Sequence, residues 1–161
     1  MHGLWSPDAC REVGEQNWGK HFVENAAIEA HIQRGEFVPI YVHSDGAPVI
    51  ETRVGSKGSP AALTEQEKKW LKTKSEPYLF VSHGVANISG IEYIGGEPTA
   101  AVAGIRVAPG RWQVTVYLLQ WPEETFDKKT NYPPDFLVTL NPDDTKLSYR
   151  QSVETFAEGT W

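Results

Sequence analysis

The sequence predicts a mainly β fold: an antiparallel β-sandwich of about eight short strands with one short helix. Three observations lead there. Short runs rich in Val, Ile, Tyr and Phe recur along the chain, as in 36–43, 78–82 and 136–140. Turn residues separate such runs, notably Asp45-Gly46, Pro109-Gly110 and Asn141-Pro142-Asp143. Only one stretch, at Thr64, carries a clear helix start signal.

Taken in order, residues 1–19 show no period and are expected to form an irregular N-terminal segment anchored by Trp5 and Trp18. Residues 21–33 admit two readings. Phe22, Ala26 and Ala30 suit a helix, whereas Ile28, Ala30 and Ile32, alternating with Glu29, His31 and Gln33, suit a strand. A strand from about Ala27 is preferred, because Arg34-Gly35 then turns directly into the next one. That next strand, EFVPIYVH at 36–43, contains Pro39, which has no N–H to donate and therefore marks an edge or a bulge. Asp45-Gly46 then predicts a hairpin that returns through 49–54.

Thr64 opens a helix of about 64–74. Thr64 and Glu67 have capping-box spacing, hydroxyl and carboxylate each bonding an otherwise unpaired backbone N–H. Lys68, Lys69, Lys72 and Lys74 give this helix a basic outer side, and Pro77 stops it. Strands follow at 78–82, 91–94 and 136–140, and 149–161 alternates weakly as a last one. With no repeat or interdomain linker, 1–161 reads as a single domain.

The centre of the pattern is 102–121, VAGIRVAPGRWQVTVYLLQW. Read as two strands turning at Pro109-Gly110, it puts Ala103, Ile105, Val107, Trp112, Val114 and Val116 on one core face. The other face begins with Arg106, Arg111, Gln113 and Thr115 and ends with Tyr117, Leu119 and Trp121. Tyr132 follows in the loop that carries Glu123, Glu124 and Asp127. Aromatics ringed by charge resemble a protein-binding hot spot. The alternative is a second core layer covered by a terminal segment. Large exposed apolar patches are rare on monomers, which gives that covered arrangement a slight advantage.

Composition excludes more than it selects. Fifteen Lys and Arg against 21 Asp and Glu give a formal net charge of −6, the wrong sign for a nucleic-acid surface. No run has the length of a membrane span, and MHGLWSPDACREVGEQ lacks the basic and apolar regions of a secretory signal. A single cysteine, Cys10, excludes an internal disulfide and fits a reducing, cytoplasmic setting. Cys10 lies in an unpatterned segment without a nucleophile motif, so no catalytic residue is assigned. His43, Asp45 and His83 are the one combination that would suit a metal-dependent enzyme. They lack zinc-site spacing and read better as solvated strand-end groups, so neither metal nor cofactor is expected.

Three stretches, EFVPIYVHSDG, EPYLFVSHGVANISGIEYIGG and VAPGRWQVTVYLLQW, resemble small bacterial β-sandwich proteins of unassigned function. Some of these act as immunity proteins in interbacterial toxin systems. The resemblance implies a sandwich and a non-catalytic binding role, most concretely neutralisation of a toxin enzyme. The expected partner is a protein with a basic surface, met by Tyr117, Trp121, Glu123, Glu124, Asp127 and Tyr132. A carbohydrate-binding module stacking sugars on Tyr117, Trp121 and Tyr132 is the alternative, followed by the metal-dependent enzyme. Oligomeric state is not legible.

Overall fold

Two long strands, β5 (Tyr78–Gly90) and β6 (Ala103–Leu119), pair antiparallel through the centre of the molecule. The computed structural model describes residues 1–42, 47–96, 99–123, 132–145 and 148–159. Around the central pair stand β1 (His2–Trp5), β2 (Phe37–Ile40), β3 (Ile50–Val54), β4 (Leu71–Lys74) and β7 (Phe136–Pro142). They form one seven-stranded mixed sheet in the order β2-β1-β5-β6-β7-β3, with β4 also paired to β6. The fold is thus mainly β, as expected. The described strands join in one hydrogen-bonded sheet rather than the two of the expected sandwich. Nor is the sheet purely antiparallel, because β3 runs parallel to β7, Ile50 opposite Phe136 and Val54 opposite Leu140.

The expected central hairpin is a single strand. Pro109-Gly110 lies at a bulge where Ser82 opposes Gly110 and Gly84 opposes Val107, so β6 carries one residue more than β5. A bulge tolerates a proline that cannot donate, and Gly110 takes φ +139°, a conformation L side chains rarely adopt. The extra residue also shifts parity. Val107 and Trp112, five apart, are both buried on the same face, which the hairpin reading also required, although by a different path.

That face carries Tyr78, Phe80, Trp112, Val114, Val116, Val138 and Leu140, all buried, each contributing roughly 1.5–3 kcal/mol of transfer free energy. The C-terminal segment covers it without forming the expected strand. Phe156 stacks on Phe136 with centroids 6.4 Å apart. The Tyr78 hydroxyl donates to the Ser152 and Glu154 carbonyls at 3.0 and 3.1 Å.

Helices cover the other face. At one end lie α1 (Trp18–Phe22) and α2 (Asn25–Gln33), so the strand preferred for 27–33 is a helix instead. Ile28, His31 and Ile32 are its buried residues, at the three- and four-residue spacings of a helix face. Arg34-Gly35 is the helix stop. Gly35 N–H donates to Ile32 O at 3.0 Å and Glu36 N–H to His31 O at 3.0 Å, with Gly35 at φ +73°: a Schellman cap. Nor is the N-terminus irregular throughout, since β1 sits inside the sheet between β2 and β5. β2 is the edge strand that Pro39 demanded.

At the other end α3 (Glu65–Lys69) has the expected capping box, but it ends five residues early, and 71–74 forms β4. Glu67 also pairs with Arg53 of β3 through two contacts at 2.6 and 2.8 Å, which holds α3 on the sheet. The hairpin expected at Asp45-Gly46 does not join β2 to β3: they lie at opposite edges of the sheet. The turn residues themselves lie outside the described residues. Finally, Ile91–Tyr93 is a 3₁₀ turn rather than a strand, because β5 already runs to Gly90.

Candidate functional site

The α3–β4 junction builds an aromatic groove open to solvent. Leu71 pairs with Leu119, and the Gln120 N–H donates to the Trp70 carbonyl at 2.8 Å. This register sets Trp70 beside Trp121. Trp70 is 38% exposed. Trp121 is half-buried and donates from Nε1 to Pro134 O at 2.9 Å. Trp70, Leu71, Trp121 and Pro122 line a shallow groove of about 380 Å³ whose rim carries Lys69 and Lys72.

Of the residues expected here, Tyr117 is half-buried between Lys74 of β4 and Leu137 of β7, closer to packing than to display. Glu123 is exposed, and Tyr132 is 62% exposed. Glu124 and Asp127 lie outside the described residues. The face is covered in part, though by α3 rather than by a chain terminus. The groove rim supplied by α3 and β4 is basic, where the sequence reading put acids. Trp70 was missed because the helix expected over 64–74 runs straight through it. The short α3 instead leaves it at the cap, turned outward.

A second cluster was not anticipated from the sequence. The Schellman cap folds Glu36 back onto His31, five positions before it. The Glu36 Oε2 lies 2.6 Å from His31 Nδ1, and His31 Nε2 lies 3.0 Å from His21 Nδ1. Arg34 holds the same carboxylate through Nε at 2.9 Å and Nη2 at 2.8 Å. The tautomers are assigned from this network. A carboxylate at 2.6 Å requires the proton on His31 Nδ1, so Nε2 accepts from His21 Nδ1–H. His31 is then neutral, and the approach of Arg34 Nη2 to His31 Nδ1 at 3.1 Å is a contact rather than a hydrogen bond. Phe22 stacks on His31 at 4.9 Å. Burial lowers the His31 pKa, outweighing the opposing pull of Glu36. Burial raises the Glu36 pKa, but hydrogen bonds from Arg34 and His31 reverse this and leave it lowered.

Cys10 is fully buried, and desolvation, with the charge of Glu36 adding, pushes its thiol up to about 12. Its thiol is therefore held protonated at neutral pH, within the core. It floors a cavity of about 430 Å³ that Trp5, Asn87, Tyr93 and Gly104 also line. His83 is exposed with Nδ1 3.4 Å from the Ser6 hydroxyl. His43 and Asp45, its supposed companions, lie outside the described residues. Among the described residues no group of three or more His, Cys, Asp and Glu is placed to hold a metal ion, and no helix is long and apolar enough to cross a membrane. Comparison with family models, curated proteins and solved structures gives no match to this chain.

Proposed function

We propose that this chain is a non-catalytic protein-binding module of the cytoplasm, and specifically an immunity protein that binds and neutralises a toxin enzyme. The observation that carries the binding role is the Trp70–Trp121 groove. An indole 38% exposed beside a second, half-buried one is an anchor arrangement that a partner's side chain completes. Glu123 and Tyr132 extend the proposed surface, and Glu124 and Asp127 belong to it by sequence. The toxin-neutralising role rests on the sequence resemblance and on the net charge of −6, which favours encounter with a basic partner.

The test is enzymatic. A toxin candidate encoded beside this chain is purified and assayed with equimolar wild type and with Trp70→Ala/Trp121→Ala. Stoichiometric inhibition by the wild type, weakened about a hundredfold in the double variant, is the expected result. Full toxin activity at saturating wild type would exclude the immunity role.

A further inference from the structure

The lysines around the groove are placed by the fold, not scattered. Lys68, Lys69, Lys72 and Lys74 fall within seven residues that contain no Asp or Glu, on a chain whose acids outnumber its bases. Lys68 pairs with Glu65 at 2.6 Å. Lys69, Lys72 and Lys74 are exposed and form no ion pair among the described residues. Lys72 is aimed by a bulge: Leu71 opposes Leu119 and Thr73 opposes Leu118, so Lys72 is the extra residue of β4. The result is a groove of Trp70, Leu71, Trp121 and Pro122 with Lys69 and Lys72 on its rim, on a molecule of net charge −6.

We infer that this groove receives an acidic polypeptide segment of the partner, seating an aromatic or large aliphatic side chain between Trp70 and Trp121 and its carboxylates against Lys69 and Lys72. The inference rests on the binding role proposed above and names the chemistry of its contact. Charge complementarity selects the acid. The groove's size, about 380 Å³, suits one or two side chains. A nucleic-acid strand needs a longer track of positive charge, and the acidic remainder of this molecule opposes it. The two levels of charge are compatible: a basic partner surface is attracted at long range, and an acidic segment within it docks at contact.

The probe is a fluorescein-labelled random copolymer of glutamate and tyrosine, followed by anisotropy at about 150 mM ionic strength. Plain polyglutamate and a single-stranded oligodeoxynucleotide serve as competitors. Expected are saturable binding, affinity reduced about tenfold or more in Lys69→Glu/Lys72→Glu and in Trp70→Ala, and no change in Lys57→Glu, whose lysine pairs with Asp144 elsewhere. Matching thermal melts of the charge variants confirm that folding is intact. Absence of copolymer binding, or equal binding of polyglutamate or the oligonucleotide, overturns the inference. With the toxin candidate as ligand the two proposals separate. If toxin binding survives Trp70→Ala/Trp121→Ala, the site itself is wrong. If it is lost there but unaltered in Lys69→Glu/Lys72→Glu, only the acidic segment is wrong.

Discussion

The two ends of the sheet's helical face treat their polar and aromatic groups in opposite ways. At the α1–α2 end, Arg34, Glu36, His31 and His21 form a chain in which each polar atom toward the interior has a partner, and Phe22 is packed on His31. At the α3–β4 end, the side chains of Trp70, Lys69, Lys72 and Lys74 are exposed and form no hydrogen bond or ion pair among the described residues. The first arrangement spends its chemistry inside the fold, because a buried charge must be paired. The second leaves its chemistry available. A cluster of titratable groups, by itself the more eye-catching feature, is thus the structural one here, and the bland junction between a short helix and a short strand is the candidate for binding.

The comparison breaks if substitution at the first end is harmless. Glu36→Ala strands His31 and Arg34 without their carboxylate and is expected to lower unfolding free energy by about 3 kcal/mol in urea denaturation. Glu67→Gln sharpens it within the α3 end. Hydrogen bonds from Arg53 and Thr64 hold the Glu67 carboxyl down to about 2, so this residue belongs to the structural class despite its neighbours. A loss of about 2 kcal/mol at neutral pH is expected. Because the folded pKa is depressed, wild type gains that stability above the ordinary carboxylate value and loses it as pH falls toward 2, whereas the glutamine variant shows no such leg.

The histidine chain adds its own pH dependence. Burial depresses the folded pKa of His31 below 6.5, so the unfolded chain binds the proton more readily. Stability is therefore full above 6.5 and declines as pH falls through the folded value. Thermal melts of His31→Asn should be flatter across that window. An unchanged slope would mean that His31 does not carry the effect. Smaller changes are expected at the aromatic end. Trp121→Ala removes a half-buried ring and its bond to Pro134, costing about 1–2 kcal/mol of stability. Trp70→Ala should stay within about 0.5 kcal/mol by calorimetry. A larger loss at Trp70 would class it with the core and remove the groove's main anchor.

How much of this was legible follows from the range of the interactions involved. The capping box at Thr64 and Glu67 and the edge position of Pro39 are local, and both were readable. The core face through Val107 and Trp112 was also readable, because its parity depends on one inserted residue whether that residue makes a turn or a bulge. Pro109-Gly110 was over-read as a hairpin turn. The same φ requirements serve a bulge, and nothing local says that β3 belongs with β7. In 27–33, Ile28 and Ile32 satisfy both periods, and only the stop at Gly35 distinguishes helix from strand. Reading Arg34-Gly35 as a cap would have set Glu36 beside His31 and revealed the buried chain. The Trp70–Trp121 pairing depends on β4 meeting β6 some fifty residues later in the chain, which no local pattern encodes.

The parallel seat of β3 on β7 also orders events in time. Ile50 meets Phe136, its neighbour in the sheet, across 86 positions of sequence. A ribosome adding about 5–20 residues each second takes roughly 4–17 seconds to make that interval. Throughout it, β3 has been synthesised and its ladder partner has not. The clamp from Arg53 to Glu67 needs only residues 51–67 and is available almost at once. Pairing of β3 with β7 therefore waits until residues 136–142 exist, and closure of this edge is a late step of assembly.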